Sequence, residues 1–138
     1  MRHSAADIES ASLVRLGESC CSSACESAAD LVVDAFGQNP AAAETVCERI
    51  AEQFCGAFDE ALQAIDLRIK ERAGTLKDAD LVFDKAGQEL IDQFATALEG
   101  QLDRPQCPEG SERDALVSFF RRHASESLAL RRPASAMP

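Results

Sequence analysis

The chain has 138 residues, with 24 acidic and 14 basic side chains and a formal net charge of -10. This length fits a single domain, and 46% hydrophobic residues are enough to fill one core, which excludes wholesale disorder. Because an acidic body repels phosphates, we expect it to make no direct contact with nucleic acid.

The first predicted helix covers about residues 4–36. Apolar side chains recur along it from Ile8 to Leu31 at steps of three and four residues, which is helical spacing rather than strand alternation. Gly37 suits the end of this helix, and Asn39-Pro40 supply an N-cap and a first-turn proline for the next one.

The second and third helices continue the same periodicity. The second is predicted over about residues 40–73 and ends at Gly74, and the third over about 76–103. Pro105 ends the third helix, because proline lacks the N–H donor and crowds the preceding turn.

A shorter fourth helix is predicted over about residues 112–130, and residues 133–138 are predicted to be a disordered tail. Short connections make consecutive helices antiparallel neighbours. The fold class is therefore all-α: an antiparallel up-down four-helix bundle with two long helices, a slightly shorter third and a short fourth, in a single domain over 1–132. A short last helix would leave part of the apolar groove open.

Six cysteines are the unusual feature of the composition. They could be small buried hydrophobic residues, since free cysteine often fills cores. Thiolates also select Cu(I) or Zn, so a second hypothesis is a metal site, although no C-x2-C pair exists. The candidate ligands for that site are Cys20, Cys21, Cys25, Cys47 and Cys55.

Helix register suggests which cysteines face each other. With the first turn near residues 37–39, Cys21 and Cys55 fall at the same level, which predicts a disulfide or a shared metal site for this pair. With the second turn near Gly74, Cys47 faces the loop that carries Cys107, a less constrained pair. The lack of a secretory leader counts against constitutive disulfides.

No catalytic constellation is found in the sequence. The two histidines are His3, at the terminus, and His123, which we expect on the apolar face of the last helix or its border. A Glu-x-x-His pair, a His-Glu-x-x-His motif and the glycine-rich phosphate loops are all absent. We therefore expect a protein that is not an enzyme.

An acidic ridge is predicted on the second helix, where Glu44, Glu48 and Glu52 recur every fourth residue. Like charges so spaced destabilise a helix slightly, so such a ridge is either a solvated face or a surface for a basic partner. We expect Phe119 and Phe120 to border the open groove and to take part in partner binding.

Two hypotheses of function follow. The first is a non-enzymatic acidic interaction protein (an adaptor, chaperone, inhibitor or regulatory subunit) that binds a basic or apolar-helix partner or a second copy of itself. The second is a cysteine-based protein that binds Cu(I) or Zn or senses oxidants. Since no apolar run spans roughly 20 residues, we expect a cytoplasmic protein that makes no membrane contact.

Overall fold

The computed structural model describes residues 5–35, 42–71, 79–104, 107–108 and 110–131. Four helices account for nearly all of them: α1 over Ala5–Ala35, α2 over Ala42–Glu71, α3 over Ala79–Leu102 and α4 over Ser111–Arg131. The described residues contain no strand. The predicted all-α class with four helices is confirmed. The predicted caps at Gly37, Asn39-Pro40 and Gly74 and the predicted tail at 133–138 lie outside the described residues.

The helices pack as two triangles that share one edge. α2 and α3 contact each other, α1 packs against both on one side, and α4 packs against both on the other. Within the described ranges α1 and α4 do not touch. The groove between α2 and α4 is therefore not covered by α1.

Side-chain contacts fix the direction of the helices relative to α4. Along the seam between α3 and α4, Asp103 meets Arg113 and Asp92 meets Arg121, so these two helices run antiparallel. Asp59 of α2 meets His123. Glu44 and Glu48, near the start of α2, lie beside Glu112, near the start of α4. Since Asp59 and His123 lie farther along their own helices, α2 and α4 run parallel.

Four aromatic rings form the centre of the core. Phe54 and Phe58 of α2, Phe94 of α3 and Phe120 of α4 are fully buried. Phe58 meets Phe94 and Phe120 edge to face, with ring centroids 5.5 and 5.7 Å apart. Such pairs add about 0.5–1.5 kcal/mol each beyond the area they bury. This cluster joins the three helices that surround the groove between α2 and α4.

Two glycines let helices approach closely. A Cβ on Gly17 of α1 would lie 2.6 Å from a methyl carbon of Leu90, and a Cβ on Gly87 of α3 would collide with Leu128. Gly110 has a φ of 74° and precedes α4, where the Asp114 N–H donates to its carbonyl over 3.1 Å. Glycine adopts this left-handed conformation without steric cost. Gly110 therefore leads into α4 just after the connection that carries Cys107.

None of the described helices combines the length and the hydropathy needed to cross a bilayer.

Candidate functional site

A pocket of about 180 Å³ opens between the first two turns of α2 and the first two turns of α4. Its apolar lining comes from both helices and from the connection before α4, and three glutamates complete it; the lining residues are Glu44, Cys47, Glu48, Pro108, Glu112, Ala115 and Leu116. We call this the acidic pocket. All three glutamates are exposed, whereas Cys47 is buried, so the charges stand at the opening and the thiol lies at the floor.

The basic side chains near the acidic pocket point to other partners. Arg113 donates to Asp103 over 3.0 Å, and Arg121 donates to Asp92 over 3.1 Å, both across the seam between α3 and α4. Arg104 bonds to Gln101. In the part of the chain that the structure describes, none of the three glutamates of the acidic pocket forms an ion pair. Within the described ranges, no ion pair therefore offsets the negative charge of these glutamates.

The helix faces that line the acidic pocket continue along α2 and α4. Glu52 lies one turn after Glu48 on α2, and Phe119 lies one turn after Ala115 on α4. Farther along the same two helices, Asp59 meets His123, with 3.0 Å between Oδ2 and Nε2. We call this surface the α2–α4 groove, and it contains the predicted residues Glu44, Glu48, Glu52 and Phe119.

The expectation for Phe120 needs correction. Phe120 is fully buried and stacks against Phe94 at 3° between ring planes, whereas its neighbour Phe119 is 45% exposed. Consecutive helical residues point about 100° apart, and the rotation of α4 turns Phe120 toward the core and Phe119 away from it. Phe119 is the one available to a partner.

The cysteines do not converge on one site. Among the described residues, which include all six cysteines, no group of three or more His, Cys, Asp or Glu side chains could hold a metal ion. The predicted set of Cys20, Cys21, Cys25, Cys47 and Cys55 is split between α1, the acidic pocket and the middle of α2. All six cysteines are free thiols in this structure.

Two pairs of thiols form instead. On α1, the neighbouring thiol of Cys21 is Cys25, one turn away. At the acidic pocket, the neighbouring thiol of Cys47 is Cys107, from the connection between α3 and α4. We call these the α1 pair and the inter-element pair. Sequence register places Cys47 near the loop of Cys107, but the contact itself depends on how that connection folds.

The predicted Cys21–Cys55 pairing is not the one that forms. The partner of Cys21 is Cys25, and the charged neighbours of Cys55 are Asp59 and Glu52 on its own helix. Glu60 is close enough to Cys20 for its charge to raise the pKa of that thiol, after burial as the larger cause. Neither of the two thiols is among the groups that shift the pKa of the other.

Burial and acidic neighbours hold the thiols protonated. Burial raises the pKa of Cys21 to about 11, with the neighbouring Cys25 and Glu18 adding to it. Burial also raises the pKa of Cys55 to about 11, helped by the charges of Asp59 and Glu52. The pKa of Cys47 is raised by burial first, then by the neighbouring thiol of Cys107 and by the charges of Glu112 and Glu44. Since the thiolate is the reactive form, these thiols are slow nucleophiles at neutral pH.

A second, more open pocket of about 390 Å³ lies between α1 and α3 beside the α1 pair. Its lining comprises Glu18, Cys21, Ser22, Cys25 and Gln93. Only one carboxylate borders it, and no large apolar side chain does. It offers less charge and less apolar contact to a ligand than the acidic pocket.

His123 does not complete a hydrolytic triad. Asp59 and Ser127 both approach the same ring nitrogen, Nε2, at 3.0 and 3.5 Å. In a Ser-His-Asp arrangement the carboxylate and the hydroxyl use different ring nitrogens, so that a proton can pass through the ring. His123 therefore ties α4 to α2, at the border of the apolar face where the sequence predicts it.

Sequence reasoning missed Glu112 as a member of the site. Glu112 lies in the first turn of α4, where a negative charge stabilises the helix dipole. From the sequence, this stabilising role explains the residue without any binding site. Only the parallel alignment of α4 with α2 places it beside Glu44 and Glu48. Comparison with known protein families, with curated proteins and with solved structures finds no match for this chain. The site itself must carry the functional argument.

Proposed function

We propose that this chain is a non-enzymatic interaction protein, and that its α2–α4 groove binds a basic segment of a partner protein. The observation that carries the proposal is the acidic pocket, where three exposed glutamates without ion-pair partners in the described chain surround an apolar floor. A lysine or arginine side chain has the matching form, a cationic head on an apolar stem.

Charge and shape favour a basic segment over an apolar helix. The groove carries Glu52 in addition to the three glutamates of the pocket, and its one exposed large apolar side chain in the described chain is Phe119. An apolar helix needs a continuous row of apolar anchors, which this surface lacks. Phe119 suits a cation–π contact with an arginine, worth about 0.5–1 kcal/mol at an exposed site.

The test is a binding titration with a defined cationic probe. A labelled peptide of alternating arginine and alanine residues is titrated with the full chain at low ionic strength, and its anisotropy is followed. A label is required because the chain has neither Trp nor Tyr. We expect saturable binding that weakens with added salt, since exposed charge pairs are screened. The same peptide with glutamate in place of arginine serves as the charge control.

Matched variants separate a site from general acidity. The triple variant Glu44→Gln, Glu48→Gln, Glu112→Gln should weaken binding at least about tenfold, equivalent to about 1.4 kcal/mol. The control triple variant Glu18→Gln, Glu26→Gln, Glu99→Gln removes the same charge from exposed positions outside the groove and should change binding less than about threefold. Equal losses in the two triple variants would show non-specific attraction and overturn the proposal.

A further inference from the structure

Two thiols from distant parts of the chain meet at the floor of the acidic pocket. Cys47 lies in the second turn of α2, and Cys107 lies in the connection between α3 and α4. Cys47 and Pro108, the residue after Cys107, line the same pocket, and the two cysteines are only 1% and 6% exposed. The pocket gives a small oxidant a route to the pair.

The connection holds Cys107 in place. Its N–H donates to the carbonyl of Arg104 over 3.0 Å, and its thiol makes a weak hydrogen bond to the carbonyl of Gln101, 4.0 Å away. A disulfide requires two cysteines whose backbones already lie close together, because bridging a longer gap would move the backbone. Cys47 shares its pocket with Pro108, the residue after Cys107, which brings the two cysteines to the same place.

We propose that Cys47 and Cys107 are the sites of a reversible disulfide, formed with a peroxide as oxidant, that ties the α3–α4 connection to α2. One thiolate attacks a peroxide oxygen, the O–O bond breaks, and a sulfenic acid and one water form. The second thiol then displaces the oxygen of the sulfenic acid, which forms the S–S bond and a second water. Two thiols and one hydrogen peroxide thus give one disulfide and two waters, with two electrons passing from sulfur to oxygen.

The surroundings of Cys47 set the speed of this reaction. The titratable groups that face it are Cys107 from the connection, Glu112 from α4, and Glu44 and Glu48 from α2. Burial and the negative charges favour the neutral thiol, so little thiolate exists near neutral pH. The disulfide therefore forms slowly near neutral pH, and its rate of formation increases as pH rises. These properties suit a disulfide that stabilises the fold under oxidising conditions rather than a rapid peroxide sensor. The disulfide does not depend on partner binding.

Peptide mapping of the oxidised wild-type chain tests the proposal. The reduced full chain is treated with hydrogen peroxide under native conditions, free thiols are alkylated, and the chain is digested with a glutamyl endopeptidase. Cleavage at glutamate separates Cys47, in 45–48, from the three cysteines of α1. We expect a loss of about 2 Da and a linked peptide that contains Cys47 and Cys107, formed faster at pH 9 than at pH 7. This needs no variant, so a folding defect cannot obscure it.

A matched pair of variants completes the test. Oxidation should raise the urea midpoint of the wild-type chain and of Cys21→Ala, and should leave that of Cys107→Ala unchanged. A bridge between Cys21 and Cys25, an intermolecular dimer, or a folded chain with all thiols still free after oxidation would each overturn the proposal. Loss of peptide binding in the groove variants has no bearing on this result, so the two proposals fail separately.

Discussion

The two thiol pairs differ in what they connect. Cys21 and Cys25 lie one turn apart on α1, half-buried beside an open pocket, and a bond between them would join consecutive turns of one helix. Cys47 and Cys107 are buried and come from two elements about 60 residues apart in the chain. In the chain-entropy model, a disulfide that closes a loop of this length raises the free energy of the unfolded chain by about 4 kcal/mol.

This difference teaches that proximity of thiols is a weak guide to their role. The α1 pair follows from the helix alone, since residues four apart always share a face. The inter-element pair exists only when α2, the connection and α4 are all in place. The first pair therefore reports on local structure, and the second reports on the tertiary fold.

The largest effect we expect from one substitution is at the inter-element pair. Cys47→Ser places a hydroxyl in a site that is 1% exposed, which should lower the free energy of unfolding by roughly 1–3 kcal/mol, since a buried hydroxyl without a good partner is costly. Cys21→Ser, at a half-buried site, should cost below about 0.5 kcal/mol. Urea unfolding of the reduced proteins measures both. Equal costs would remove the distinction between the two pairs.

A smaller effect is expected at the seam that carries the α1 pair. Gly17 lies one turn before Cys21, and a methyl group there would meet Leu90 of α3 at 2.6 Å. Gly17→Ala should destabilise the chain by about 1 kcal/mol, because crowding outweighs the gain in helix propensity. Gly56→Ala is the matched control, since its Cβ meets nothing within 4 Å, and it should stabilise the chain by up to about 1 kcal/mol. Thermal melts followed by circular dichroism decide the sign of each.

A further effect is electrostatic and concerns pH. The folded chain raises the pKa of Cys21 and Cys55 to about 11 from an ordinary value of 9.0. Between pH 9 and 11 the folded state thus binds more protons than the unfolded state, so stability falls as pH rises through this window. Urea midpoints over that range should decrease for the wild-type chain and decrease less for Cys55→Ala. If the urea midpoint decreased equally steeply with pH in both proteins, the loss of stability could not be assigned to the Cys55 thiol.

The effect of the carboxylates of the acidic pocket on the Cys47 thiol can be tested in the same range of pH, between 9 and 11. Glu112→Gln should lower the pKa of Cys47 and speed its alkylation about twofold to fivefold at a fixed pH, the range expected for one partly exposed charge. The alkylation rate of Cys21 should not change in this variant, because Glu112 is not among the groups that shift it.

Several parts of the site were predictable from local sequence. The four helices follow from apolar spacing and from the glycines and prolines between them, and the acidic row on α2 follows from glutamates at four-residue steps. The contact of Phe54 and Phe58 with Phe94 also agrees with the predicted register of the hairpin formed by α2 and α3. These features depend on neighbours in the chain or on one short turn.

Other parts were not predictable in the same way. The sequence register places Cys21 opposite Cys55, whereas the neighbouring thiol of Cys21 in the structure is Cys25 on its own helix. Phe119 and Phe120 are adjacent in sequence and similar in hydropathy, so nothing local says which of them faces the core. The rotation of α4 against α2 and α3 makes that choice, and it also brings Glu112 to the acidic pocket.

The sequence by itself determined the helical class, the order of the helices and the acidic face of α2, because apolar spacing and backbone preferences act over one or two turns. Only the tertiary structure decided which thiols meet, which phenylalanine is exposed and where three carboxylates gather. Those outcomes depend on how the helices rotate and slide against one another. Local sequence patterns do not specify such small shifts, so they cannot be predicted from the sequence.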